Sequence, residues 1–394
     1  MNKKILDEAV QQFIDANLNA DLNRIVLAKT PFDGISSAEL ADQIIAKKKA
    51  FKKLPTWFNT PYVYYPVPLS IEQTSSEVTA EYKAKLAAGN SLIDITGGFG
   101  VDAYYFAKKI PHVTHCEYNS DLSVIAAYNA DIFYVKNIKF YAGDGLAFLK
   151  STSENFGTIY LDPARRANSG KVFMLKDCSP DVTSNLDMLL SRSEKIIIKT
   201  APLLDITAGL SELRNVSEIH IVSVKNECKE LLWVIRKGFT GKIRIQATTL
   251  NDTEKSFSFF QSELNGTVMF STHITTDQYL YEPDAALLKS GAFNLIGERF
   301  ELQKLHPQSQ LYTSNRINNQ FPGRIFKIHD ILSSKDLKRG NDLSGNVIVR
   351  NYPSKAEDLI KKYKIKPAND QFLIFTKDIA GNNIVIRSTI LQYY

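Results

Sequence analysis

Four carboxylates stand at the ends of short apolar runs in the first half of the chain: Asp94, Glu117, Asp144 and Asp162. Between the first two lies Thr96-Gly97-Gly98-Phe99-Gly100, running into VDAYYFAKK. Glycine lets backbone approach a ligand closely and adopt positive φ, and the start of the helix that follows offers unpaired N–H groups. Gly98-x-Gly100-x-x-Ala103 satisfies a relaxed dinucleotide fingerprint, so a nicotinamide or flavin ligand is one reading of the loop. Glu117, 23 residues beyond Asp94, can accept both hydroxyls of a ribose under that reading or any other nucleoside reading. Asp94 discriminates, because a carboxylate before the glycines meets a cationic amino-acid group but repels a pyrophosphate. With Asp144 and Asp162 added, the acids describe a ligand with an ammonium, a ribose and an adenine amino group, and S-adenosylmethionine has all three.

These residues need a frame. Residues 92–95, 113–117, 138–142, 158–161 and 195–198 read as buried parallel strands, separated by stretches long enough for crossover helices. IHIVSVKNECKELLWVI adds two strands turning around Lys225 to Cys228. Five strand–helix units and a terminal antiparallel hairpin predict a Rossmann-like α/β sheet with its ligand above the strand C-termini. Ahead of it, Asn2 to about Lys53 has helical periodicity, with Ser37 placed to cap and Glu39 near the helix start. Its lysine cluster, Lys47, Lys48, Lys49, Lys52 and Lys53, suits a solvated face or a helix C-terminus, or else a phosphate contact. The prolines and aromatics of residues 55–70 predict an extended segment, and Ser75 or Ser76 caps a helix that ends before Gly89. Beyond Gly238, KIRIQATTL and SFSFFQSEL alternate as antiparallel strands, a helix starts near Pro283, DLIKKYKIK forms a short helix, and a hairpin turns around Gly381 and Asn382.

The 394 residues, 44% hydrophobic and 23% charged, exclude collagen-like, disordered and disulfide-rich classes. Cys116, Cys178 and Cys228 form no C-x-x-C pair, and the six histidines show no metal spacing, so no metal is expected. Asp7 and Glu8 interrupt any signal-like apolar run, and no stretch approaches 18 uncharged apolar residues, which makes the cytoplasm the expected compartment. The net charge of +6 is localised: residues 240–394 hold 20 Lys/Arg against 15 Asp/Glu. A basic appendage on a neutral body points to a polyanion such as RNA, against a merely solvated surface.

EQTSSEVTAEYKA, DITGGFGVD, YLDPARR, KNECKELL and YEPDAALLKSGAF together resemble a bacterial family of class I S-adenosylmethionine-dependent methyltransferases with a C-terminal THUMP-like domain. The class I resemblance covers about residues 70–236. It implies that Asp94, Thr96, Gly97, Gly98, Phe99 and Gly100 hold the methionine part of the cofactor, Glu117 the ribose, and Asp144 with Gly145 the adenine, with Tyr118 also among the cofactor-binding residues. It also implies that Ser75, Ser76 and Thr79 fold over the methionine end. The family's usual acid-x-G-x-G-x-G loop has Thr96 at its first glycine here, with Gly97 beside it. The implied domains are a helical lead-in (1–78), the methyltransferase domain (79–272), a small ferredoxin-like α+β connector (273–322) and the THUMP-like domain (323–394). THUMP domains proper bind RNA in tRNA-modifying enzymes, so tRNA or rRNA is the implied partner.

The target belongs at Asp162-Pro163-Ala164-Arg165. In amino-methylating relatives an Asp/Asn-Pro-Pro-aromatic block accepts the target N–H bonds and stacks on the base. Here Asp162 and Pro163 match, Ala164 replaces proline and Arg165 replaces the aromatic, and arginine can stack on a base or pair with phosphate. Asp162 is the expected catalytic group, also bordering the cofactor, with Arg165, Arg166 and Lys199 as substrate contacts. Carbon methylation would need a thiolate from Cys228 or Cys178. A protein or small-molecule target, or an RNA-binding protein with a relict cofactor fold, are the other readings.

Overall fold

The computed structural model describes residues 1–165, 174–333, 336–337 and 343–394. Two compact units result: Met1–Thr200 with Thr207–Val216 and Trp233–Phe239, and Ala201–Ile206 with Ser217–Leu232 and Thr240–Tyr394. The first unit opens with six helices, α1 (Glu8–Ala16), α2 (Leu22–Leu27), α3 (Ser37–Lys53), α4 (Pro55–Asn59), α5 (Pro68–Gln73) and α6 (Glu77–Leu86).

Two expectations change here. Ser36, not Ser37, caps α3: Ser36 Oγ accepts the Glu39 N–H at 3.2 Å, and Glu39 Oε2 accepts the Ser36 N–H at 2.8 Å. The reciprocal box needs its acid three residues after the cap, which selects Ser36 from the pair of serines. The 55–70 segment is not wholly extended, because α4 and α5 begin at Pro55 and Pro68. At the first helical position proline's missing N–H costs nothing and its fixed φ is already helical.

Strands and helices then alternate through β1 (Ser91–Asp94), α7 (Val101–Ala107), β2 (His112–Glu117), α8 (Ser120–Ile132), β3 (Ile138–Ala142), α9 (Gly145–Ser151) and β4 (Thr158–Leu161). Two-residue strands β5 (Ala164–Arg165) and β6 (Cys178–Ser179) pair with each other, and α10 (Val182–Arg192) leads to β7 (Lys195–Thr200), followed by α11 (Ile206–Glu212). The long strands lie parallel in the order β7-β4-β1-β2-β3. All four residues of β4 are buried, as are five of the six in β7, which is why each carries an unbroken apolar triplet, Ile159–Leu161 and Ile196–Ile198. A core including Leu92, Phe106, Tyr160 and Ile197 joins the sheet to Ile44 and Trp57 of the leading helices.

In β8 (Val216–Val224) and β9 (Glu227–Arg236) the expected hairpin turns at Lys225-Asn226, both at positive φ, 51° and 60°. β10 (Arg244–Leu250) pairs with β11 (Glu254–Phe260) antiparallel as expected, but with β8 in parallel. Alternation in a sequence reports which face is buried, not the direction of a neighbour. A separate seven-stranded sheet follows in the order β13-β14-β12-β15-β18-β17-β16. Its strands are β12 (Tyr279–Pro283), β13 (Gln303–His306), β14 (Ser309–Ser314), β15 (Gly323–Ser333), β16 (Asn346–Val349), β17 (Gln371–Lys377) and β18 (Asn383–Gln392). The helix expected near Pro283 starts at Ala285, as α12 (Ala285–Ser290), with α13 (Phe293–Arg299) after it. Pro283 ends a strand and Asp284 caps α12 by accepting the Ala286 N–H at 2.8 Å. No helix among the described residues is long and apolar enough to cross a membrane.

Candidate active site

Because β4, β1, β2 and β3 are parallel neighbours, their C-terminal ends share one rim. The four acids therefore stand in the spatial order Asp162, Asp94, Glu117, Asp144, following β4, β1, β2 and β3 in turn.

Asp94 is 1% exposed. Its Oδ1 accepts the Thr96 N–H at 2.9 Å and the Thr96 hydroxyl at 3.3 Å. Burial pushes its carboxyl well above the usual range, and the nearby charges of Asp102 and Asp162 add to that against the Thr96 N–H. Thr96 Oγ1 also accepts the Asp162 N–H at 2.7 Å, so the unusual threonine links the loops after β1 and β4. Phe99 is buried in the core, and Gly98 and Gly100 take φ of 57° and 85°. A Cβ on Gly98 would meet nothing closer than Thr96 O at 4.0 Å, so the loop is open on that side. Gly97 is required for a different reason: a Cβ there would lie 2.3 Å from Nε2 of the fully buried His115.

Glu117 is already positioned, its Oε2 accepting the Gly98 N–H at 2.8 Å and its Oε1 the Asn119 N–H at 2.7 Å. Tyr118 beside it is 82% exposed, free to lie against a ligand ring. Asp144 caps α9 through the Leu146 and Ala147 N–H groups, at 2.7 and 3.1 Å, with Gly145 buried as the helix's first residue. A buried acid facing an open glycine loop, with two further strand-end acids beyond it, suits a ligand carrying an ammonium and a ribose.

In the lead-in, Ser76 caps α6, and its hydroxyl and that of Thr79 lie 3.1 Å apart. Ser75 faces Asp102 instead, donating to its Oδ2 at 2.9 Å, and Tyr160 donates to the same oxygen at 2.8 Å. Lys83, fully buried, pairs with Asp102 Oδ1 at 2.9 Å. Burial opposes the Asp102 charge, but the Lys83 ammonium holds its carboxyl below the usual range. Lys83 and Asp102 were missed by sequence reasoning; a charged residue on the inner face of each of two helices is the only signal they leave.

At the end of β4, Lys199 pairs with Asp162. Pro163 is buried and Ala164 exposed, and Ala164 and Arg165 are held opposite Ser179 and Cys178 in the β5–β6 ribbon. The expectation for Arg166 lies outside the described residues. Neither candidate thiol suits a thiolate nucleophile: Cys178 is fully buried, and burial pushes the Cys228 thiol up to about 12. Among the described residues no group of three or more His, Cys, Asp or Glu could hold a metal ion.

Two family models match the C-terminal part, a ferredoxin-like domain over residues 279–322 and a THUMP domain-like stretch over 323–388. A crystal structure from Porphyromonas gingivalis W83, which carries a provisional methyltransferase description, is 30% identical with a TM-score of 0.87, covering 99% of each chain. An uncharacterised S-adenosylmethionine-dependent methyltransferase of Mycobacterium tuberculosis is 22% identical over 231 residues, which is 57% of this chain and 61% of the relative. The chain thus spans less than two thirds of that relative's length. An uncharacterised RNA methyltransferase of Mycoplasma mobile is 33% identical over 76 residues, 19% of this chain and 21% of that one.

Proposed function

Because the chain belongs to the family of S-adenosylmethionine-dependent methyltransferases with a THUMP-like C-terminal domain, we propose that it methylates a nucleotide of structured RNA, tRNA or rRNA, at the Asp162-Pro163-Ala164-Arg165 block. The carrying observation is the row of acids Asp162, Asp94, Glu117 and Asp144 along one rim, with an open glycine loop after Asp94. The THUMP domain-like stretch, the relative described as an RNA methyltransferase and the basic excess after residue 239 support RNA as the partner.

When bound, S-adenosylmethionine supplies an electrophilic methyl on a sulfonium. The protein's work is then placement and the exclusion of water. Asp94 receives the ammonium end beside Gly97–Gly100, under the segment Ser75, Ser76 and Thr79. Glu117 and Tyr118 take the ribose side, and Asp144 with Gly145 the adenine. Asp162, oriented by Lys199 and the Thr96 hydroxyl, accepts hydrogen bonds from the target nucleophile and turns its lone pair toward the methyl. Arg165, Arg166 and Lys199 contact the RNA. Residues 79–272 carry this chemistry and 323–394 grip the substrate.

The test is tritiated-methyl transfer into RNA from a strain lacking the protein, followed by nucleoside mass spectrometry. Asp162→Ala, which removes the acceptor, should abolish transfer while leaving S-adenosylhomocysteine binding intact, and Glu117→Ala should abolish that binding. Methyl incorporation into protein or metabolite extracts but not RNA would overturn the RNA assignment.

A further inference from the structure

The basic end of α3 plays no part in the rim just described. Residues 46–53, AKKKAFKK, contain five lysines and no acid. Three are committed: Lys47 pairs with Asp15, Lys49 with Glu72, and Lys53 Nζ donates to the Ile71 and Glu72 carbonyls at 3.0 and 2.6 Å. Lys48 and Lys52 are exposed and have no protein partner among the described residues. They stand four apart on one helix face, and Phe51 shares that face.

Phe51 is 57% exposed although hydrophobic burial would favour covering it. Its ring meets Phe58 edge-on, with centroids 5.0 Å apart and planes at 72°, which fixes its orientation. Phe58 in turn walls a cleft of about 260 Å³ that Glu8 and Asp15 also line, which leaves the exposed ring of Phe51, not the cleft, as the cationic patch's apolar element. The helix dipole explains cations in the last turn, Lys52 and Lys53, but not Lys48 a turn earlier or an exposed aromatic between the unpaired pair.

We propose that Lys48, Phe51 and Lys52, backed by Phe58, form a second RNA-contacting surface that takes an unpaired segment of the substrate. A base stacks on Phe51 and the flanking phosphates meet the two lysines, the pairing of aromatic and cation by which single strands are held. A second copy of this chain is the poorer fit, because a two-fold contact through this face would set Lys48 and Lys52 against their own equivalents. The inference rests on the RNA reading above.

The full-length protein is titrated with a fluorescent single-stranded RNA 12-mer and with unfractionated tRNA, between about 50 and 200 mM salt. Lys48→Ala/Lys52→Ala should flatten the log–log salt slope by about 1.4, roughly 0.7 for each phosphate left without its lysine. Phe51→Ala should weaken binding about 5- to 100-fold at unchanged slope, with Phe51→Trp restoring it. All variants should melt and bind S-adenosylhomocysteine as the parent does. Parent-like affinity and slope in every variant would overturn the surface while leaving the RNA reading intact. No RNA binding by the parent would sink both, and a change of oligomeric state in Phe51→Ala by light scattering would reassign the face to self-association.

Discussion

Thr96 Oγ1 accepts the backbone N–H of Asp162 at 2.7 Å, across 66 residues of sequence, while contacting Asp94 Oδ1 at 3.3 Å. A single hydroxyl thus couples the buried acid that ends β1 to the acid that follows β4, the two groups proposed to face cofactor and target. Where the family's loop has glycine, this chain uses a side chain.

Removing that hydroxyl takes the acceptor from the Asp162 N–H and one of two donors from Asp94 Oδ1, which keeps the Thr96 N–H. Thr96→Ala should cost about 1–2 kcal/mol in urea unfolding and weaken S-adenosylhomocysteine binding in calorimetry. Thr96→Ser should stay close to the parent. Thr96→Gly should fall below Ala, because added chain entropy costs about another 0.5–1 kcal/mol. An alanine variant as stable and as tight-binding as the parent would contradict the coupling.

The buried Asp94 carboxyl is held well above its usual range, first by burial and then by its acidic neighbours. Its folded-state pKa exceeds the unfolded value of about 3.9, so what it contributes to the empty protein's stability is complete below that value and is lost as pH rises through the folded pKa. A cationic ligand favours the ionised form. Affinity for S-adenosylmethionine should therefore rise with pH across that window, and binding should release a proton. Calorimetry in two buffers of different ionisation enthalpy reads this directly. Identical apparent enthalpies would rule it out, and Asp94→Asn should bind more weakly with no proton release.

Lys83 and Asp102 form an ion pair with Lys83 fully buried, next to Ser75 and Tyr160. Lys83→Met strands a buried carboxylate and should cost about 3–5 kcal/mol by chemical denaturation. Adding Asp102→Asn to that variant removes the orphaned charge but keeps an acceptor for both hydroxyls. The double variant should thus recover much of the loss; if it is no more stable than Lys83→Met alone, charge is not what holds the cluster.

Gly97→Ala would place a Cβ 2.3 Å from the His115 imidazole, which is fully buried and cannot step back. The overpacking should cost about 1–3 kcal/mol and weaken S-adenosylhomocysteine binding. Combining it with His115→Ala opens space behind the loop and should restore binding. Failure of that rescue would show that the loop backbone, not the ring, sets the requirement for glycine.

The sequence by itself determined the parallel strands, the carboxylate closing each run, the glycine loop between the first two acids and the basic C-terminal part. The charge excess is a sum along the chain, and the others are local patterns, since burial period, turn chemistry and helix caps are written over a few adjacent residues. It placed one cap a residue late, at Ser37, because two adjacent serines fit and only the reciprocal bond of Ser36 with Glu39 separates them. It missed α4 and α5 because proline was read as a breaker where it is a starter. Strand order put the four acids on one rim, and packing across the first unit brought Thr96 to Asp162, Lys83 to Asp102 and His115 beneath Gly97. These partners lie 18 to 66 residues apart. No local propensity encodes such a pair; it exists only once the sheet has chosen its neighbours and burial leaves each charge or ring no other place to go.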